Sequence, residues 1–115
     1  RKEIKDHGEG GNIIGAVPVG NVLIIDDVLS AGTAARESIK ILKDLNATPK
    51  IFLVGLDRQE KGNSDLSAKT ELEKDFGIYV SSIINLEALI KYSHNNKDFH
   101  TYTFELEQYR NNWGA

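Results

Sequence analysis

The run from Val22 to Ala34, VLIIDDVLSAGTA, constrains this chain more than any other segment. Val22, Leu23, Ile24 and Ile25 are apolar in unbroken succession, the pattern of a strand buried on both faces in a parallel sheet. The strand runs into two adjacent acids, Asp26 and Asp27, because charge cannot continue into a core. A short small-residue turn, Ser30-Ala31-Gly32-Thr33, then opens an amphipathic helix to about Leu45. Its inner face is Ala35, Ile39 and Leu42, with Arg36, Glu37, Lys40, Lys43 and Asp44 outside. Asn46 suits a left-handed helix end, and Pro49 forbids continuation.

The remaining segments repeat this alternation. Ile51 to Leu56 reads as a second buried strand and ends in Asp57-Arg58. Lys61 to Ser64 is a turn, and Ser64 or Asp65 is expected to cap a helix running to Phe76, closed by Gly77. Ile78 to Ile84 is a third strand. Asn85 caps a helix over Leu86 to Tyr92, with Glu87 favourably placed in its first turn. Phe99, Tyr102, Leu106, Tyr109 and Trp113 recur at helical spacing, predicting a last helix whose apolar stripe packs on the sheet. Ile13 to Val19 is expected to add a short strand, placed at an edge by Pro18. Residues 1–12 carry charge and glycine without a period and read as a loop. The series predicts an α/β fold: one domain over residues 1–115, a parallel sheet, right-handed crossovers and helices on both faces. Ligands in such folds bind beyond the carboxyl ends of the strands. Asp26-Asp27 and Asp57-Arg58 nominate the same rim.

Composition excludes several functions. The formal net charge is −3, so no basic field points to nucleic acid. Cysteine is absent, which excludes disulfides, thiolate catalysis and cysteine-bound metal. No apolar run approaches the ~20 residues of a membrane helix, and no signal peptide is visible, so a cytoplasmic protein without membrane contact is expected. The chain begins with Arg1 inside a charged loop and contains no Met, which suggests that an amino-terminal portion precedes it.

Paired acids at a strand end admit three chemistries. They can accept hydrogen bonds from a cis-diol. They can organise Mg²⁺ as in a Walker B strand, but the glycine-rich Lys-Ser/Thr loop this requires is missing. They can form the acidic pocket of a phospho-receiver domain, with Asp57 as acceptor, although Ser30 to Thr33 then has no purpose. That small turn reads best as a phosphate cradle. Ala31 and Gly32 keep bulk away, Ser30 and Thr33 add hydroxyls, and the helix dipole favours an anion. Arg58 is either half of a surface ion pair or a clamp for a planar anion, and its place at the rim favours the clamp. The segment Arg1 to Gly11 balances Arg1, Lys2 and Lys5 against Glu3, Asp6 and Glu9. Composition alone therefore leaves it a solvated mixed-charge loop. His94 and His100 lack ligand spacing and read as surface residues. Asn46-Ala47-Thr48 matches a glycosylation acceptor only by chance.

Three segments in order resemble the orotate phosphoribosyltransferases of the type I phosphoribosyltransferase family. Val22 to Ala34 resembles the phosphoribosyl-pyrophosphate (PRPP) motif. Arg1-Lys2-x-x-Lys5-x-His7-Gly8-x-Gly10-Gly11 is similar to the catalytic loop. Leu56-Asp57-Arg58-Gln59-Glu60-x-Gly62 is similar to the segment on the orotate side. The rest of the chain resembles the carboxyl half of the bacterial-type enzyme.

The resemblance implies transfer of a 5-phosphoribosyl group from PRPP to orotate, giving orotidine 5′-monophosphate and pyrophosphate in pyrimidine biosynthesis. It implies that Asp26 and Asp27 bind the ribose hydroxyls. The turn with its flanks, Val28, Leu29, Ser30, Ala31, Gly32, Thr33 and Ala34, would hold the 5′-phosphate. Ser30 and Arg58 would contact orotate, Arg58 at its carboxylate. Arg1, Lys2, Lys5 and His7 would meet pyrophosphate, with Lys5 and His7 catalytic. Mg²⁺ is implied as a cofactor held mainly through PRPP, with no metal ligand set of the chain's own. A homodimer is implied in which loop 1–12 reaches the neighbouring site. The family's amino half completes the site, so this stretch alone is expected to be inactive. Ser30 stands where many relatives have Thr, which preserves the hydroxyl. A non-catalytic PRPP-binding regulator of the same fold is the main alternative.

Overall fold

The computed structural model describes residues 13–115. Three parallel strands form one sheet in the order β1 (Asn21–Leu29), β2 (Thr48–Asp57), β3 (Tyr79–Asn85). Helix α1 (Thr33–Asp44) links β1 to β2, and α2 (Ala68–Phe76) links β2 to β3. Beyond β3 come α3 (Leu86–Asn95), a 3₁₀ turn over His100–Tyr102, and α4 (Thr103–Trp113). This is the expected α/β alternation.

The helix faces legible in the sequence are those that become buried. Ala35, Ile39 and Leu42 are the buried residues of α1. Leu29, Ala35, Ile39, Phe52, Val54, Ala68, Leu72, Ile78 and Val80 form the core, so α1 and α2 cover the same sheet face. On the opposite face Leu23, Ile25, Ile51, Tyr79 and Ile83 are solvent-exposed. Helix α3 packs against β3, and α4 against α3. Buried Thr103 donates to Ser93 Oγ at 2.8 Å, and Ser93 donates to the Ile90 carbonyl at 2.7 Å. The turns follow their residues. Asn46 has φ 59° after α1, Gly77 has φ 63° after α2, and Asn85 accepts the Ala88 N–H at 2.9 Å.

Four expectations are corrected. Residues 13–19 form no strand. Pro18 has no N–H for a ladder, and Gly15 sits at φ 96°, outside extended geometry. Strand β1 does not end before the acids. It continues through Asp26 and Asp27 to Leu29, because β2 pairs with it as far as Asp57. The cap of α2 is Ser67, which accepts the Thr70 N–H at 3.1 Å; Ser64 bonds elsewhere. The aromatic stripe does not pack on the sheet. Phe99, Tyr102 and Trp113 are about half exposed, and Thr103 is the buried residue of α4. The 3₁₀ turn winds residues 100–102 more tightly than an α-helix, so Phe99 and Tyr102 do not continue the face of Leu106 and Tyr109. Phe99 instead packs beside Tyr92, with ring centroids 5.6 Å apart.

The loop between β2 and α2 is fastened by one carboxylate. Glu71, buried in α2, accepts the Asn63 N–H at 2.9 Å, the Ser64 N–H at 2.7 Å and the Ser64 hydroxyl at 2.6 Å. It also accepts Arg36 from α1 at 2.9 Å. Gly62 leaves room for this carboxylate, since a Cβ there would overlap Glu71 Oε2 and displace it from these bonds. The Ser64 hydroxyl, then the main-chain N–H groups of Asn63 and Ser64 and the Arg36 guanidinium, outweigh burial and hold the Glu71 carboxyl at a pKa of about 2, below its ordinary 4.5. The folded pKa is the lower one. The ionised carboxylate therefore stabilises the fold fully above pH 4.5, and this stability is lost as pH falls toward 2. Thermal melts from pH 2 to 7 are expected to show a lower Tm at neutral pH for Glu71→Gln and a flatter decline below pH 4.5. An acid branch as steep as in the unaltered protein would contradict this role.

Candidate functional site

Strand pairing builds the rim. Leu29 pairs with Asp57, and the Arg58 N–H donates to the Leu29 carbonyl at 3.0 Å. This bond sets Arg58 directly beside Ser30, the first residue of the small turn. Two segments far apart in sequence thus meet where the strands end.

The turn keeps a helix N-terminus open. Gly32 lies at φ 89°, a left-handed conformation that glycine adopts without steric cost, and it is buried. Its carbonyl accepts the Arg36 N–H at 3.0 Å, the first helical bond of α1. A Cβ at Gly32 would sit 3.4 Å from the Ala68 Cβ, so glycine also admits α2 close to the turn. Among the described residues no side chain caps α1, whereas Ser67 and Asn85 cap α2 and α3. Among those residues the first-turn N–H groups of α1 therefore have no side-chain acceptor, the condition an anion site needs. Arg36 fixes the helix behind the turn through Glu71 and through Asp75 at 3.1 Å.

The two acids are held close to the main chain. Asp26 Oδ1 accepts the Asp27 N–H at 2.9 Å, and Asp27 Oδ1 accepts the Val28 N–H at 2.7 Å. Successive strand residues project to opposite faces. Asp26 is half-buried on the helix side, and Asp27 is exposed. Gly55 of β2 makes room for this geometry, because a Cβ there would lie 2.9 Å from the Asp27 carbonyl oxygen. Asp57 is buried, and its Oδ1 accepts the Gln59 N–H at 2.8 Å. It serves as a turn-former where a receiver domain would need a free acceptor.

Arg58 is partly exposed and has two neighbours. Its Nη1 lies 3.4 Å from the Tyr109 hydroxyl and 3.8 Å from Glu60 Oε1. Gln59, at φ 55°, accepts the Glu87 N–H at 2.8 Å and so ties the segment to the start of α3. Arg1, Lys2, Lys5 and His7 lie outside the described residues. His94 is at the surface, 3.0 Å from Glu107, as its lack of ligand spacing predicts. Among the described residues, no helix is long and apolar enough to cross a membrane.

Comparison with known proteins shows which enzymes carry a similar rim. Orotate phosphoribosyltransferase of Marinobacter nauticus is 54% identical over all 115 residues, and that of Pseudomonas syringae pv. tomato is 47% identical over 114. Over its whole length the chain is similar to one part of these orotate phosphoribosyltransferases. It spans about half the length of these curated relatives, 54% in both cases. The crystal structure of orotate phosphoribosyltransferase from Francisella tularensis matches 83% of the chain and 47% of its own, with 41% identity and a TM-score of 0.66. Leishmania donovani UMP synthase matches 89% of the chain and 23% of its own at 22% identity and a TM-score of 0.62, a likeness of fold. No protein-family model matches. The fold is that of the type I phosphoribosyltransferase core.

Gly55 and Tyr109 belong to the rim without standing in any motif, and Glu60 stands in the segment after β2 without a role assigned to it there. Their pattern in the sequence is ordinary: a glycine inside a strand, an acid after an arginine, one aromatic of a stripe. The interior glycine was the available signal, since glycine in a strand marks a close approach. The Gly55→Ala protein is expected to be destabilised by about 1–3 kcal/mol through this overlap. The amide resonances of Asp27 and Val28 are expected to shift with it, and unchanged resonances would show that the contact does not position the acid.

Proposed function

We propose that this chain forms part of an enzyme that transfers the 5-phosphoribosyl group of PRPP to orotate, giving orotidine 5′-monophosphate and pyrophosphate. The observation that carries the proposal is the bond from the Arg58 N–H to the Leu29 carbonyl. It sets a cation suited to a planar carboxylate beside a turn suited to a phosphate. In this reading the open N-terminus of α1, with Ser30 to Ala34, holds the 5′-phosphate. Free lone pairs on Asp26 and Asp27 accept from the ribose 2′- and 3′-hydroxyls. Ser30 and Arg58 orient orotate, and Arg58 takes its carboxylate.

Cleavage at the anomeric carbon leaves an oxocarbenium-like ribose and a multiply charged pyrophosphate. Groups that meet this charge as it develops lower the barrier more than groups that bind the ground state. Arg1, Lys2 and Lys5 are the cations proposed for that role. His7, with a reference pKa near neutrality, is proposed to protonate the leaving group. In a homodimer, residues 1–12 are proposed to serve the neighbouring site. Mg²⁺ bound with PRPP would supply Lewis-acid stabilisation of the leaving group. Hard carboxylate oxygens suit such an ion. In this reading the ion is held mainly through the oxygens of PRPP. A cytoplasmic setting is proposed from the likeness to orotate phosphoribosyltransferases.

The test is steady formation of orotidine 5′-monophosphate by the full-length protein that contains this chain. Turnover of a purine base in place of orotate would overturn the assignment. So would PRPP binding with no pyrophosphate release, which is the behaviour of a regulator. For the loop, Lys5→Ala is expected to lower kcat about 10²–10³-fold while orotate binding changes little. Equal losses in both would argue against a leaving-group role.

A further inference from the structure

Tyr109 belongs to the apolar stripe that the sequence assigns to packing, yet its hydroxyl is engaged at the rim. The end of α4 is strapped to the segment after Arg58. Lys61 donates its N–H to the Trp113 carbonyl at 3.0 Å, Ala115 to the Gln59 carbonyl at 3.1 Å, and Glu60 bridges Gly114. Gly114 permits this close turn, since a Cβ there would lie 2.4 Å from the Arg110 carbonyl oxygen. The strap brings Tyr109, one turn back along α4, against Arg58 and Glu60. The Tyr109 hydroxyl donates to Glu60 Oε1, and the Arg58 guanidinium carbon lies 6.0 Å from the Tyr109 ring centroid.

These contacts define a division of labour. Glu60 is buried and needs a donor. Tyr109 supplies one and also accepts from Arg58 Nη1. The Arg58–Glu60 separation of 3.8 Å is that of a loose ion pair, not a closed bidentate one. Without the tyrosine hydroxyl, the buried carboxylate would have the guanidinium as its nearest donor and would draw it inward. Arg58 would then have less charge and less freedom for an incoming carboxylate.

We propose that Tyr109 and Glu60 are positioning residues that hold Arg58 poised for the carboxylate of the base and so set the preference for a carboxylated pyrimidine. This rests on the assignment of Arg58 to the orotate carboxylate. It separates recognition of the base, tuned from α4, from recognition of PRPP, which lies on β1 and α1.

The test uses the full-length enzyme with orotate, with uracil as the same ring without a carboxylate, and with PRPP. Tyr109→Phe keeps the ring and removes the hydroxyl. It is expected to raise the KM for orotate about tenfold, to leave the KM for PRPP and the kcat at saturation within about twofold, and to leave kcat/KM for uracil unchanged. Arg58→Ala is the reference. In the double variant Arg58→Ala/Tyr109→Phe the second change should add nothing, because both act through one group. If Arg58→Ala leaves the orotate KM unchanged, the assignment of Arg58 itself fails. If Arg58→Ala raises it and Tyr109→Phe does not, positioning by Tyr109 is overturned while that assignment stands. Equal losses for orotate, uracil and PRPP would mark a merely structural role and also overturn the proposal. Glu60→Gln keeps the shape and removes the competing charge. Should Tyr109→Phe fold poorly, an altered ratio of orotate to uracil use in Glu60→Gln supports the proposal, and an unaltered ratio rejects it.

Discussion

The parallel pairing of β1 with β2, carried through to Leu29 and Asp57, is the constraint on which the rim depends. Parallel strands leave their carboxyl ends on one side, so whatever follows each strand is delivered to one place. Here the delivery is fixed by a backbone hydrogen bond from Arg58 to Leu29. Shift that register by a residue and every side chain changes face. Ser30 and Arg58 would no longer adjoin, and Asp27 would no longer lie over Gly55.

Around this pairing, each part of the site is braced from behind by something unlike itself. The small-residue turn is braced by packing, Gly32 against Ala68. Helix α1 is braced electrostatically, Arg36 on Glu71 and Asp75. The loop after β2 is braced by the same Glu71 through main-chain N–H groups. Glu71 therefore couples α1, α2 and the loop in one network. Such a network is worth more intact than the sum of its separate bonds.

Much of this was legible before any coordinates. Continuous apolar runs marked the strands, and small residues after the acids marked the open helix end. Gly77 and Asn85 punctuated the chain as their conformational preferences require. The misreadings share a cause: each depended on a partner that local pattern does not name. The strand β1 outran its apolar run because β2 offered it a ladder. Ser64 passed over the cap of α2 because Glu71 offered three acceptor bonds nearby. Tyr109 looked like packing because spacing along a helix carries no information on what its hydroxyl meets. The acids, the turn and Arg58 stand out in the sequence because their chemistry is concentrated in short segments. The contacts of Gly55, Glu60 and Tyr109 exist only across the fold, so no local pattern announces them.

The strap between α4 and the loop after β2 bears on how the site is assembled in time. Arg58 and Tyr109 are 51 residues apart, and the intervening chain forms α2, β3 and α3. Closing so long a loop carries an entropic cost that must be met before the contact repays it. The small-residue turn and its braces need only β1 through α2, which follow one another in sequence. During synthesis from the amino terminus, the half of the rim that suits a sugar phosphate can form early. The half that suits a base is completed only once residues 109–115 have emerged and docked.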